Sequence, residues 1–154
     1  MDLIDLITPE AIVPALHATS KKQALQELSH HAEALTGLPD SEIYSALTER
    51  ERLGSTGVGN GIAIPHAKLA KLTRLWGLFA RLPTPIDFNS IDEQPVDLIF
   101  MLLAPVNSGA EHLKALARVS RLLRDTSICE KLRGSSDAAA IYALLTEPAH
   151  SHAA

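Results

Sequence analysis

The sequence predicts a single α/β domain built around a mostly buried sheet. Three observations carry this. Residues 96–103, Val-Asp-Leu-Ile-Phe-Met-Leu-Leu, form an almost unbroken apolar run stopped by Pro105, which reads as a central strand covered on both faces. Segments with helical spacing of apolar residues lie both before and after the strand candidates, the order expected of sheet and helices in layers. The length of 154 residues, with 46% hydrophobic and 21% charged residues, suits one domain with a substantial core. No internal repeat or linker divides it.

The elements follow in order. Ser20 with Gln23 has the form of a capping box and predicts a helix start. Leu25, Leu28, Ala32 and Leu35 then make one apolar stripe. Gly37 is placed to end this helix and Pro39 to begin the next. In the second helix Ile43, Leu47 and Arg50 share a face. An arginine in the last turn of an apolar stripe is unusual. The residues alone leave open whether it serves a site or satisfies the terminal carbonyls and the helix dipole.

Residues 62–64 are a short strand candidate, and residues 75–82 a longer one, bounded by Pro83 and Pro85. Residues 84–95, rich in Pro, Asp and Asn, read as a loop. Ser108 and Glu111 have the form of a second capping box, opening a helix to about Arg124 with the stripe Leu113, Leu116, Ala117, Ser120 and Leu123. Shorter helices are expected over 127–133 and 137–145, separated by Gly134-Ser135-Ser136. The domain is expected to span 1–147, with 148–154 a disordered tail.

A formal net charge of −4 argues against non-specific nucleic-acid binding, which needs a basic footprint. Arg118, Arg121, Arg124, Lys131 and Arg133 could form a local basic patch, but are read in preference as solvated faces of two helices. No apolar stretch is long enough to span a bilayer, and the acidic start lacks the basic region of a signal peptide. Cys129 is the one cysteine and reads as a small buried hydrophobe. These features fit a cytoplasmic protein without membrane insertion. His30-His31 point to different helix faces, His17 lies in a loop, and His150 and His152 fall in the tail. None of these, nor any Cys-x-x-Cys or carboxylate cluster, marks a metal site. The glycine run below lacks the Gly-Lys-Ser/Thr ending of a nucleotide P-loop. No cofactor is called for.

The densest signal is residues 54–67, Gly-Ser-Thr-Gly-Val-Gly-Asn-Gly-Ile-Ala-Ile-Pro-His-Ala. Glycine and asparagine allow a tight loop. Pro65 fixes its own φ and biases Ile64 to an extended backbone. His66 is thus held at the end of a short strand beside a glycine-rich wall, a setting for an imidazole that meets a phosphate or another protein. A turn with an incidental surface histidine fits the composition equally. His112, in the first turn of the capped helix, lies where free N–H groups favour an anion, though alone it reads as a surface residue.

This run resembles the phosphorylation-site segment of the IIA components of the bacterial phosphoenolpyruvate-dependent phosphotransferase system. The resemblance is to the fructose/mannitol type, and most of all to the nitrogen-related (nitrogen regulatory) IIA proteins. Residues 48–56, residues 92–100 and Glu111-His112-Leu113 resemble further segments of that family, so the likeness spans about 3–145. It implies a mixed central β-sheet flanked by helices on both faces. It implies a phosphotransferase of regulatory rather than metabolic role: a histidine phosphocarrier accepting a phosphoryl group from an HPr-like protein on Nε2 of His66, with Nδ1 facing a backbone carbonyl or similar acceptor. Arg50 and His112 are the implied phosphate stabilisers, Arg50 rather than Arg52 matching the Arg-Glu segment. One departure is Ala67, where glycine is common in the family. A sugar-specific IIA passing phosphate to a IIB component uses the same residues, and a non-catalytic binding module is a third reading. Transfer between two proteins also calls for an apolar rim around His66. Val58, Ile62 and Leu69 are the nearest candidates, Ile62 being equally able to fill the core. Regulated targets, oligomeric state and strand order do not follow from the sequence.

Overall fold

The computed structural model describes residues 2–147; the expected tail, with His150 and His152, lies outside them. Helix α1 (Lys21–Thr36) and helix α2 (Asp40–Arg52) form an antiparallel pair. Ser20 Oγ accepts from Gln23 N at 3.1 Å, as the sequence predicts. The reciprocal contact is shifted by one residue, Gln23 Oε1 accepting from Thr19 N at 2.7 Å. Gly37 ends α1 at φ 80°, the left-handed cap that favours glycine.

Six strands follow: β1 (Ile12–Val13), β2 (Gly57–Gly59), β3 (Ile62–Ala63), β4 (His66–Leu69), β5 (Trp76–Ile86) and β6 (Val96–Pro105). The sheet order is β1-β5-β6-β3-β2, with β4 also pairing β6. β1 is parallel to β5, β5 antiparallel to β6, and β3 and β4 both parallel to β6, so the sheet is mixed. β3 and β4 lie end to end along one edge of β6. Pro65 separates them without breaking the ladder, because its carbonyl accepts from Leu102 N at 3.0 Å.

Side chains of β6 alternate between two cores. Ile99, Met101 and Leu103 pack against α1 and α2. Leu98, Phe100 and Leu102 pack against α3 (Gly109–Leu123), α4 (Thr126–Arg133) and α5 (Ala138–Thr146). A strand covered on both faces has no side left for polar residues, which is why its sequence lacks alternation.

Several expectations need correction. β5 continues through Pro83 and Pro85 to Ile86, so the loop expected over 84–95 starts later. The pairing with β6 skips from Arg81 to Ile86, an irregularity that accommodates prolines lacking a ladder donor. Ser108 does not cap α3; its hydroxyl turns back to the Pro105 carbonyl at 2.6 Å. The buried stripe of α3 is His112, Ala115, Val119 and Leu123, rotated from the one expected, and Leu113 is 68% exposed. Arg133 is not a freely solvated helix residue. It pairs with Asp97 at 2.9 Å and donates to the Asn60 carbonyl at 2.7 Å, tying α4 to the β2–β3 hairpin. Cys129 is buried, and burial raises its thiol pKa.

Candidate functional site

His66 opens β4, where the sequence reading has it at the end of the preceding strand. Alternation along β4 sends Ala67 and Leu69 into the α1–α2 core. His66 and Lys68 therefore share the opposite face, toward α3. His112, on the first turn of α3, is buried at 5% exposure, with ring centroids 5.6 Å from His66 and planes at 70°. Arg50 reaches His66 from α2 on the other layer. Its Nε lies 3.3 Å from His66 Nε2, and its Nη1 donates to the Gly54 carbonyl at 2.9 Å. Arg50 thus satisfies a carbonyl just beyond the helix end and also faces the histidine.

The His66 ring is held from both nitrogens. Nδ1 lies 2.8 Å from the Ile64 carbonyl. A carbonyl only accepts, so this contact assigns the proton to Nδ1 and leaves the lone pair on Nε2, toward Arg50. Burial, the largest influence, lowers the His66 pKa. Ile64 raises it, Arg50 lowers it and Glu51 raises it. The net direction is below the ordinary value near 6.5, which favours the neutral ring. His112 is lowered as well, by burial first and then by His66 and Lys68. His112 Nε2 is buried and meets no hydrogen-bond partner among the described residues.

The three residues implied by the sequence, Arg50, His66 and His112, line one open cleft with Lys68, Leu53 and Leu113. Leu53 is 84% and Leu113 68% exposed, so the apolar rim is theirs. Of the candidates named from sequence, Ile62 and Leu69 are buried, and Val58 is exposed on the hairpin but outside this cleft. Lys68 was not singled out from sequence, although period-2 alternation from His66 points to it. Glu51 and Thr56 were also missed. Glu51 Oε1 accepts from Thr56 N at 3.0 Å, its Oε2 accepts from the Thr56 hydroxyl, and Lys21 Nζ lies 2.8 Å from Oε1. No pattern in the chain links three residues from α1, α2 and the glycine loop.

Residues 5–147 match the family model described as phosphoenolpyruvate-dependent sugar phosphotransferase system, EIIA 2. The chain belongs to this family. A relative from Bradyrhizobium diazoefficiens, named nitrogen regulatory protein, is 60% identical over 96% of this chain and 97% of its own length. The fructose-specific EIIABC component of Bacillus subtilis is 32% identical over 96% of this chain and 23% of its own length. Among solved structures, the nitrogen regulatory protein IIA-Ntr from Neisseria meningitidis is 36% identical, with a TM-score of 0.89 over 94% of this chain and 100% of that one. The mixed α/β fold is therefore that of an EIIA 2 protein. Among the described residues no helix is long and apolar enough to cross a membrane.

Proposed function

We propose that the chain is a regulatory histidine phosphocarrier, which accepts a phosphoryl group on Nε2 of His66 from a phosphohistidine of a small HPr-like protein and regulates partner proteins through the state of that histidine. The observation that carries this is the division of the His66 ring: Nδ1 is committed to the Ile64 carbonyl at 2.8 Å, while Nε2 faces the open cleft beside Arg50. In the step, the Nε2 lone pair forms the new N–P bond as the N–P bond to the donor imidazole breaks. That imidazole, already carrying a proton on its other nitrogen, leaves as a neutral ring with the electron pair of the broken bond, while His66 keeps its proton on Nδ1. Such transfer demands little beyond positioning and charge balance on three phosphoryl oxygens.

Arg50 and His112 supply the balance. In the resting protein the Arg50 Nε–H caps the attacking lone pair, so the guanidinium must turn to the phosphoryl oxygens as the donor arrives. His112 Nε2 is buried with no hydrogen-bond partner among the described residues, in a ring centred 5.6 Å from that of His66. Identity of 60% to a nitrogen regulatory protein, against 32% to a fructose-specific component, supports the regulatory reading over sugar uptake.

The test is incubation with phosphoenolpyruvate, enzyme I and either the nitrogen-type or the sugar-type HPr, followed by intact mass. One acid-labile phosphoryl group is expected, with faster uptake from the nitrogen-type donor and none on His66→Ala. Uptake by His66→Ala would overturn the assignment.

A further inference from the structure

Glu51 sits where its own helix disfavours it. A carboxylate in the last turn of α2 faces the negative end of the dipole, and Lys21, the first residue of α1, faces the positive end of its helix. The Glu51 side chain is also only 6% exposed, and that of Lys21 19%. Burial of such charges is costly unless they are paired and hydrogen-bonded. Here they pair with each other at 2.8 Å, because the antiparallel hairpin brings the start of α1 to the end of α2. Lys21 Nζ also lies 4.9 Å above the Phe88 ring.

Two local misplacements that cancel only in the folded protein ask for a reason. The contacts of Glu51 give one. Both of its oxygens hold Thr56, through the amide and the hydroxyl. The Thr56 carbonyl accepts from Ile64 N at 3.0 Å. The Ile64 carbonyl holds His66 Nδ1, and His66 Nε2 meets Arg50, the neighbour of Glu51 in the chain. The path closes on itself.

We infer that Glu51 is a positioning residue, which closes a ring of contacts through Thr56, Ile64, His66 and Arg50 and so fixes the partners of the two His66 ring nitrogens relative to each other. It rests on the reading of His66 as the acceptor. Glu51 reaches no phosphoryl group itself. It fixes the end of α2, which carries Arg50, to the loop that carries the Ile64 carbonyl. Its charge also stands close enough to favour a proton on His66, against Arg50.

The experiment follows the imidazole ¹⁵N resonances of His66 through a pH titration in the full chain, together with the rate of phosphoryl uptake. Glu51→Gln keeps the size and removes the charge. The His66 pKa is expected to fall, the Nδ1–H tautomer to lose its dominance, and uptake to slow by roughly tenfold or more, since a misplacement of about 1 Å can cost about 100-fold. Thr56→Val leaves every charge in place and should disturb the tautomer and the rate. Thr56→Ser, which restores the hydroxyl, should recover both, and this pair serves if Glu51→Gln does not fold. Lower thermal stability in Glu51→Gln and Thr56→Val with a His66 titration and tautomer like the wild type would make Glu51 merely structural and overturn the inference. If the titration responds but the wild type takes no phosphoryl group, the positioning stands and the phosphocarrier reading fails.

Discussion

At His66 opposing influences meet on one ring, and burial prevails. The same holds for His112. Both bind protons less readily folded than unfolded, so stability depends on pH. Their contribution is fully present above the unfolded value near 6.5 and is lost as pH falls through the lower folded values. Urea midpoints are accordingly expected to drop between pH 7.5 and 5, and His112→Gln to flatten that slope; a slope unchanged by His112→Gln would assign the loss to other groups. Arg50→Lys keeps a charge but loses the fixed fork of donors. Donors aimed at developing charge are worth about 2–4 kcal/mol, so single-turnover uptake should slow markedly while the urea midpoint holds. The His66 loop was legible because glycine, asparagine and proline state their backbone needs openly. The Glu51–Thr56 tie was not, because its partners are joined only by folding.

The β2–β3 hairpin shows what one element demands of its residues. Gly61 has φ 80°, and a Cβ there would stand 2.6 Å from Arg133 Nη2 and 2.9 Å from Asp97 Oδ1. Gly61→Ala should therefore strain the turn and spread the Arg133–Asp97 pair, at a cost of about 1–3 kcal/mol in urea unfolding. α4 begins on Asp125, whose Oδ1 accepts from Ser127 N and Ile128 N. Asp125→Ala should remove about 1 kcal/mol in the same measurement. Helices α1 and α2 and strand β6 could be read in advance from period, caps and composition. β1, β2 and β4 could not, since strands of two to four residues carry too little periodicity to stand out. The stripe of α3 was misread because it buries a histidine and small residues while Leu113 stays outside. Apolar type alone pointed to the wrong face.

Across the whole molecule, the cleft opens beside β4 at the sheet edge, with Leu53 and Leu113 as a thin apolar rim. A phosphoryl group adds about −1.5 to −2 charge, taking serine-type phosphates as a guide. It would arrive among Arg50, His112 and Lys68, so the fold has little reason to rearrange. Amide spectra of the two states should differ only near the cleft; shifts spread through both cores would refute this. A partner seated on Leu53 and Leu113 would instead lose affinity, because the new charge must be desolvated. Leu113→Asp should weaken such a partner without altering the spectrum elsewhere. The strands at the sheet's edges, β1, β2 and β4, have two, three and four residues. Edges so short offer another chain almost no ladder to extend, which guards against strand addition and fibril growth. A partner at the cleft would then engage through side chains at helix ends and loops. Contacts of that kind have no backbone zipper to undo, so a change of charge at one imidazole can be enough to release them.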